Sequence, residues 1–221
     1  MTRKLDKLIK KSNFLTLNLL LMSSLVNIVL LIFRVVFIRD IYFVFLVWNL
    51  FLAWIPFMLS FYLLNYGHKI IQLMRYFLFF CWFLFLPNTF YIVTDIFHLT
   101  GDHYSPLWFD LILVLSFAVT GVLLGLYSLY HIHLYFGKRN RLKTWVMIVV
   151  IVFLSSFGIY IGRYLRWNSW DVLTNPFLLI RDIGSIFIYP GDNLKAFGIT
   201  FIYSFVFLSW YLIIYLSSLK K

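Results

Sequence analysis

The stretch LILVLSFAVTGVLLGLYSLY, residues 111–130, runs for 20 positions without a charged side chain. At about 1.5 Å of rise per residue, a helix of that length crosses a ~30 Å hydrocarbon layer. Comparable runs recur along the chain. The expected spans are Phe14–Phe33, Ile41–Leu64, Ile70–Leu86, Leu111–Tyr130, Trp145–Gly162 and Ala196–Ser217. Little chain is left over for a soluble unit. The expectation is therefore one all-α transmembrane domain over 1–221, a polytopic bundle of about six spans.

Composition agrees. Of 221 residues 63% are hydrophobic and 12% are charged, a balance that a water-soluble core of this size could not hide. The formal charge of +11 would suggest nucleic acid in a soluble protein. Here the basic residues sit at the ends of apolar runs, where they set orientation, and no nucleic-acid partner is expected. Cys81 is the only cysteine, so no internal disulfide can form. Arg3, Lys4, Lys7, Lys10 and Lys11 precede the first run as in a secretory signal, but that run is too long and lacks a small-residue cleavage pattern. It is retained as the first span.

The third span is the hardest to bound. Either Arg75 enters its first turn and reaches back to the interface, or the helix runs on past Pro87 and Asn88 with a kink.

With both termini in the cytoplasm, the inner segments hold thirteen of the Lys and Arg residues and the outer segments six. All eight acids are Asp, and only Asp6 falls inside. That asymmetry favours this orientation. In the last outer segment, Thr174-Asn175-Pro176 reads as a helix start and Tyr189-Pro190-Gly191 as a stop, which predicts a short interfacial helix.

Ala118, Gly121, Gly125 and Ser128 share one face of the fourth span, and Ser155, Gly158 and Gly162 one face of the fifth. Small faces let helices approach closely in lipid, so these two spans are expected to pack on each other, and such faces could also serve a homo-oligomer.

Polar residues gather toward the outer ends of the helices. Asn49 lies about two turns inside the second span. The third exits into a segment with Asn88, Tyr91, Asp95, His98, Asp102 and His103, and Asp110 opens the fourth. The fifth exits through Arg163, Arg166, Asn168 and Asp171. Asp95 and His98, three apart, face one way if the segment is helical, as do Arg163 and Arg166. An unpaired charge near hydrocarbon is costly, so pairing alone would explain such a cluster. Asp95, His98 and His103 are metal-ligand types, but no zinc-type spacing supports them and no metal is expected. His131 and His133, two apart, read as interfacial. There is no Gly-rich phosphate loop and no nucleophile elbow, and no cofactor is expected.

Four strings carry a resemblance: WNLFLAWIP (48–56), LPNTFYIVTDIFH (86–98), WFD (108–110) and GRYLRWNSWD (162–171). Together they resemble the bacterial membrane family named domain of unknown function 1361, from the second span to the segment after the fifth. The resemblance implies a multi-pass location in the bacterial cytoplasmic (inner) membrane and one unit containing these polar residues. It assigns no catalytic residue.

Three functional classes follow. In the first, Asn49, Asn88, Asp95, His98, Asp110, Arg163, Arg166, Asn168 and Asp171 form an outward-facing pocket for an anionic lipid head group or another amphiphile, with membrane lipids as partners. In the second, Asp95, His98 and Asp171 serve an acid–base transferase or hydrolase acting on a lipid-linked substrate, with His98 as base. The third is a small accessory subunit of a membrane complex. The geometric expectation is that Asn49, Asp95, Asp110, Arg163, Arg166 and Asp171 converge. At least one of the two arginines should then stand within about 4 Å of one of the three carboxylates.

Overall fold

The computed structural model describes residues 2–99, 106–137 and 140–219, with side chains over 13–99, 106–137 and 140–218. It is all helical among the described residues. The order is α1 (Thr2–Ile38), a 3-10 turn (Tyr42–Val44), α2 (Phe45–Tyr66), α3 (Gln72–Tyr91), a 3-10 segment (Ile92–Leu99), α4 (Leu107–Gly137), α5 (Arg141–Tyr164), the single turn α6 (Asp171–Thr174), α7 (Pro176–Ile188) and α8 (Leu194–Leu219). Six helices are long and apolar enough to cross a membrane: α1, α2, α3, α4, α5 and α8. They match the six expected spans. At 13 residues α7 is too short to cross, and it leaves Phe177, Ile180, Phe187 and Ile188 exposed.

The third span includes both Arg75 and Pro87. Arg75 lies in the first turn of α3, and the helix continues through Pro87 to Tyr91. Proline removes one backbone donor. Around it, carbonyl oxygens are taken by side chains: Ser169 Oγ donates to Leu84 at 3.1 Å, Asn88 Nδ2 to Phe85 at 3.1 Å and Thr89 Oγ1 to Leu86 at 2.7 Å.

The most enclosed span is α4. Trp82 Nε1 on α3 donates to Ser128 Oγ on α4 at 2.6 Å, and that hydroxyl donates to the Pro56 carbonyl on α2 at 3.0 Å. One hydrogen-bonded path thus joins three helices. On the opposite flank, Asn27 Nδ2 of α1 donates to Thr120 Oγ1 of α4 at 2.9 Å and Trp54 Nε1 of α2 to Ser24 Oγ at 3.1 Å. Such bonds tie helices where hydrophobic drive between them is small.

The small-residue faces do not close on each other. A methyl group added at Gly121 would meet Ile92 and the Thr89 carbonyl, and one at Gly125 would meet Thr89 and Phe90. At Gly158 it would meet Pro87, and at Gly162 Tyr91. Both faces therefore receive the third span, which lies between them and whose Pro87 and aromatic rings need the room. These glycines are occupied within the chain.

His131 and His133 are not interfacial either. Both are buried, His131 against Ser60 and the rings of Phe57 and Phe61, and His133 with its Nδ1 2.7 Å from Tyr211 Oη. Two positions on a helix turn by about 200°, so they face α2 and α8 respectively.

Candidate functional site

The polar residues collect at the end of the bundle that holds the α1–α2, α3–α4 and α5–α8 connections. Asn49 enters from α2, shortly after that helix begins. Its Nδ2 donates to Asp95 Oδ2 at 2.7 Å. Asp95 is 1% exposed, and its second oxygen, Oδ1, is buried without a hydrogen-bond partner. A carboxylate in that position has lost water and recovered one donor.

His98 lies one 3-10 turn further on, on the same face, because three residues complete a turn in this geometry. Its Nε2 stands 2.9 Å from Arg163 Nη1 and its Nδ1 3.2 Å from Tyr42 Oη. A guanidinium only donates, so Nε2 accepts and the proton of a neutral ring sits on Nδ1. The Arg163 guanidinium also lies over the Phe97 ring, 5.6 Å from its centre.

The expected arginine–carboxylate pairing does not form. Neither Arg163 nor Arg166 makes an ion pair with Asp95, Asp110 or Asp171. Asp110 belongs to Arg34 instead, with Nε to Oδ1 at 2.7 Å, and Arg34 also reaches Asp40 Oδ2 at 3.0 Å. Asp171 is held locally, accepting from the Asn168 backbone N–H at 2.7 Å and from Thr174 Oγ1 at 3.1 Å. Those donors hold its carboxyl below the usual carboxylate range. Arg163 and Arg166 do not share a helical face, because α5 ends at Tyr164 and Arg166 adopts a left-handed backbone with φ of 62°. Its side chain is exposed. Asp102 and His103 lie outside the described residues, as do Lys138, Arg139, Lys220, Lys221 and the N-terminal basic side chains.

What the structure does enclose is a cleft of about 360 Å³ between α2, α3, α5 and α7. Near the connections it is rimmed by Asn49, Asn88, Asn168 and Ser169. Deeper along the helices Leu52, Phe83, Leu84 and Leu154 form its wall, and Leu179 and Ile183 of α7 close one side. No charged side chain lines it among the described residues. Asn88 Nδ2 donates to Ser169 Oγ at 2.9 Å, so α3 and the α5–α6 connection are tied at the rim. Trp167 Nε1 donates to Asp182 Oδ2 at 3.1 Å and holds α7 in place over the cleft.

Asn49 is the shared wall between this cleft and buried Asp95. Asn88 and Asn168 join it on the cleft side, whereas Asp95, His98, Arg163, Asp110 and Asp171 do not line the cleft. Sequence reasoning missed Ser169, Trp167 and the α7 residues as lining, and it preferred Arg163 and Arg166 over Arg34, one of four arginines within reach, as the partner of Asp110. Arg34 did carry a signal: it is followed by Val35, Val36, Phe37 and Ile38, so the helix continues a turn beyond the charge.

The family described as protein of unknown function (DUF1361) matches residues 48–211. No curated protein and no solved structure matches the chain. The matched region runs from α2 into α8 and contains every residue that lines the cleft. The chain belongs to this family.

Proposed function

We propose that this member of the family binds an amphiphile in the cleft, an uncharged polar head resting on the rim amides and an apolar portion following the wall. The observation that carries this reading is the lining: Asn49, Asn88 and Asn168 at the mouth, then Leu52, Phe83 and Leu154, with no charge throughout. A few convergent polar groups on a mostly apolar concavity of roughly 300–1,000 Å³ is the usual form of a small-molecule site. A neutral head group fits the amides better than an anionic one, because Arg163 is engaged with His98 and Arg166 points to solvent. The distribution of Lys and Arg supports placing this end outward, in a bacterial cytoplasmic membrane.

Binding is favoured over transferase or hydrolase chemistry. Both nitrogens of His98 have partners, and neither Asp95, His98 nor Asp171 lines the cleft, so none of these three candidates meets a bound molecule there.

Native mass spectrometry of the protein extracted with its own lipids tests the reading. Leu154→Trp, which fills the cleft, and Asn168→Ala should each reduce retained amphiphile by about tenfold, the equivalent of one or two lost contacts. The Arg163→Gln, Arg166→Gln double variant should retain it. Loss in the double variant with retention in Leu154→Trp would place the ligand on the arginines and remove this proposal.

A further inference from the structure

At the opposite end of the bundle, a second cavity of about 560 Å³ opens beside Arg75. Its walls are Leu63 of α2, Phe79 of α3, Phe136 of α4 and Met147 of α5, and the polar tips of Gln72 and Tyr76 reach it. We infer that this cavity holds the phosphate of an anionic membrane phospholipid, seated on the Arg75 guanidinium with its glycerol and upper acyl chains against the apolar walls.

Among the described residues Arg75 makes no ion pair, and its Nε is buried without a hydrogen-bond partner. A permanent charge with a desolvated donor is unstable unless something supplies an acceptor. Among the described residues no carboxylate lines the cavity, and Gln72, Tyr76 and Tyr135 bring only neutral polar groups to it. No acidic residue occurs between Asp40 and Asp95, or between Asp110 and Asp171, so α2, α3 and the adjoining parts of α4 and α5 carry no carboxylate at this end. Arg75 lines the cavity, and the two terminal Nη groups of a guanidinium form an edge that takes two oxyanion oxygens side by side.

Two observations favour a lipid over free phosphate. The four wall residues are apolar, which a hydrated ion would not need. Lys69, Arg141 and Lys143 are exposed at the same end and attract an anionic leaflet. The site is separate from the cleft, shares no lining residue with it, and does not depend on the reading given for it.

The full chain is reconstituted in phosphatidylcholine vesicles containing a minority of phosphatidylglycerol, and the lipids retained on release are counted by native mass spectrometry. Wild type should keep phosphatidylglycerol in preference to phosphatidylcholine. Arg75→Gln should lower that retention by about tenfold and Arg75→Lys, which keeps charge but loses the paired donors, by about threefold. Lys143→Gln, an exposed cation at the same end, should stay within about twofold of wild type. Melting in neutral detergent identifies any variant that fails to fold, and wild type should be stabilised by added phosphatidylglycerol but not by inorganic phosphate. Wild-type retention in folded Arg75→Gln, equal retention of the two lipids, or equal stabilisation by inorganic phosphate would each overturn the inference.

Discussion

Arg34 on α1 and Asp110 on α4 stand 76 positions apart in sequence and meet at 2.7 Å, Nε to Oδ1, with both side chains shut away from solvent. The same guanidinium donates to the Asp40 backbone carbonyl at 3.1 Å and lies 4.5 Å from the centre of the Phe43 ring. One side chain therefore pins α4 and the α1–α2 turn to the end of α1. In surroundings of low dielectric such a pair is held in place by the cost of separating it.

Removing one partner should be far worse than removing both. Arg34→Met is expected to lower stability by about 3–5 kcal/mol, because Asp110 is left as an uncompensated buried charge, and Arg34→Met with Asp110→Leu should recover most of that. Denaturant or thermal unfolding in detergent measures it. A single variant as stable as wild type would show that the pair is not holding α1.

Gly121 and Gly125 of α4 should tolerate almost nothing. A Cβ at Gly125 would stand 2.9 Å from Thr89 Cβ and 3.0 Å from Phe90 Cε1, inside a packed helix pair. Gly125→Ala should cost about 1–3 kcal/mol through overpacking. Gly198→Ala on α8 meets nothing within 4 Å and should be neutral or slightly stabilising, since alanine is the better helix former. Equal melting points for the two variants would contradict the packing described.

Ser128 should matter more than its indole donor. Trp82→Phe removes one hydrogen bond and leaves the hydroxyl free to donate to Pro56, at a cost of about 1 kcal/mol. Ser128→Ala strands the Trp82 N–H as well and should cost about 2–3 kcal/mol. The reverse order in unfolding experiments would mean that the path through three helices does not act as a unit.

The α5–α6 connection should loosen only in acid. The carboxyl of Asp171 is held below its ordinary range chiefly by the Asn168 N–H, so the folded state binds a proton less readily than the unfolded one. Its contribution is fully present above the unfolded value of about 3.9 and is lost as pH falls through the lower folded value. Protection against hydrogen exchange over 168–175, relative to the intrinsic rate at each pH, should be flat from neutral pH to about 5 and fall below about 4. In Asp171→Asn the exchange should already be faster at neutral pH and lose this acid step. A step near neutrality would assign the titration to another group.

Length and the absence of charge were enough to place all six spans, because a helix that crosses lipid has to be about 20 residues of apolar side chain whatever it packs against. The helix ends were less legible. Beyond Phe33, α1 continues to Ile38 with Arg34 held by two carboxylates inside the protein; the apolar run after Arg34 hints at the extension, but nothing along the chain names the partners that neutralise the charge. Asn49 and Asp95 could be expected in one cluster because Asn49 needed polar partners that lipid does not supply, and the two do meet, although the pair itself was not singled out by the chain. Arg163 and Asp95 could not be ruled apart, since both sit near the same end.

The sequence alone determined the solvent of this protein, the number of its spans and the end at which its polar residues gather, since those follow from counting apolar residues along the chain. Only the tertiary structure decided the partners. It set the third span between the glycine faces of α4 and α5, gave Asp110 to Arg34, turned Arg166 away on a left-handed residue and left a charge-free cleft beneath α7. Those outcomes depend on which side chains meet across distances of tens of residues, and such meetings are fixed by packing volume and by competition among several possible counter-charges, neither of which has a period along the chain.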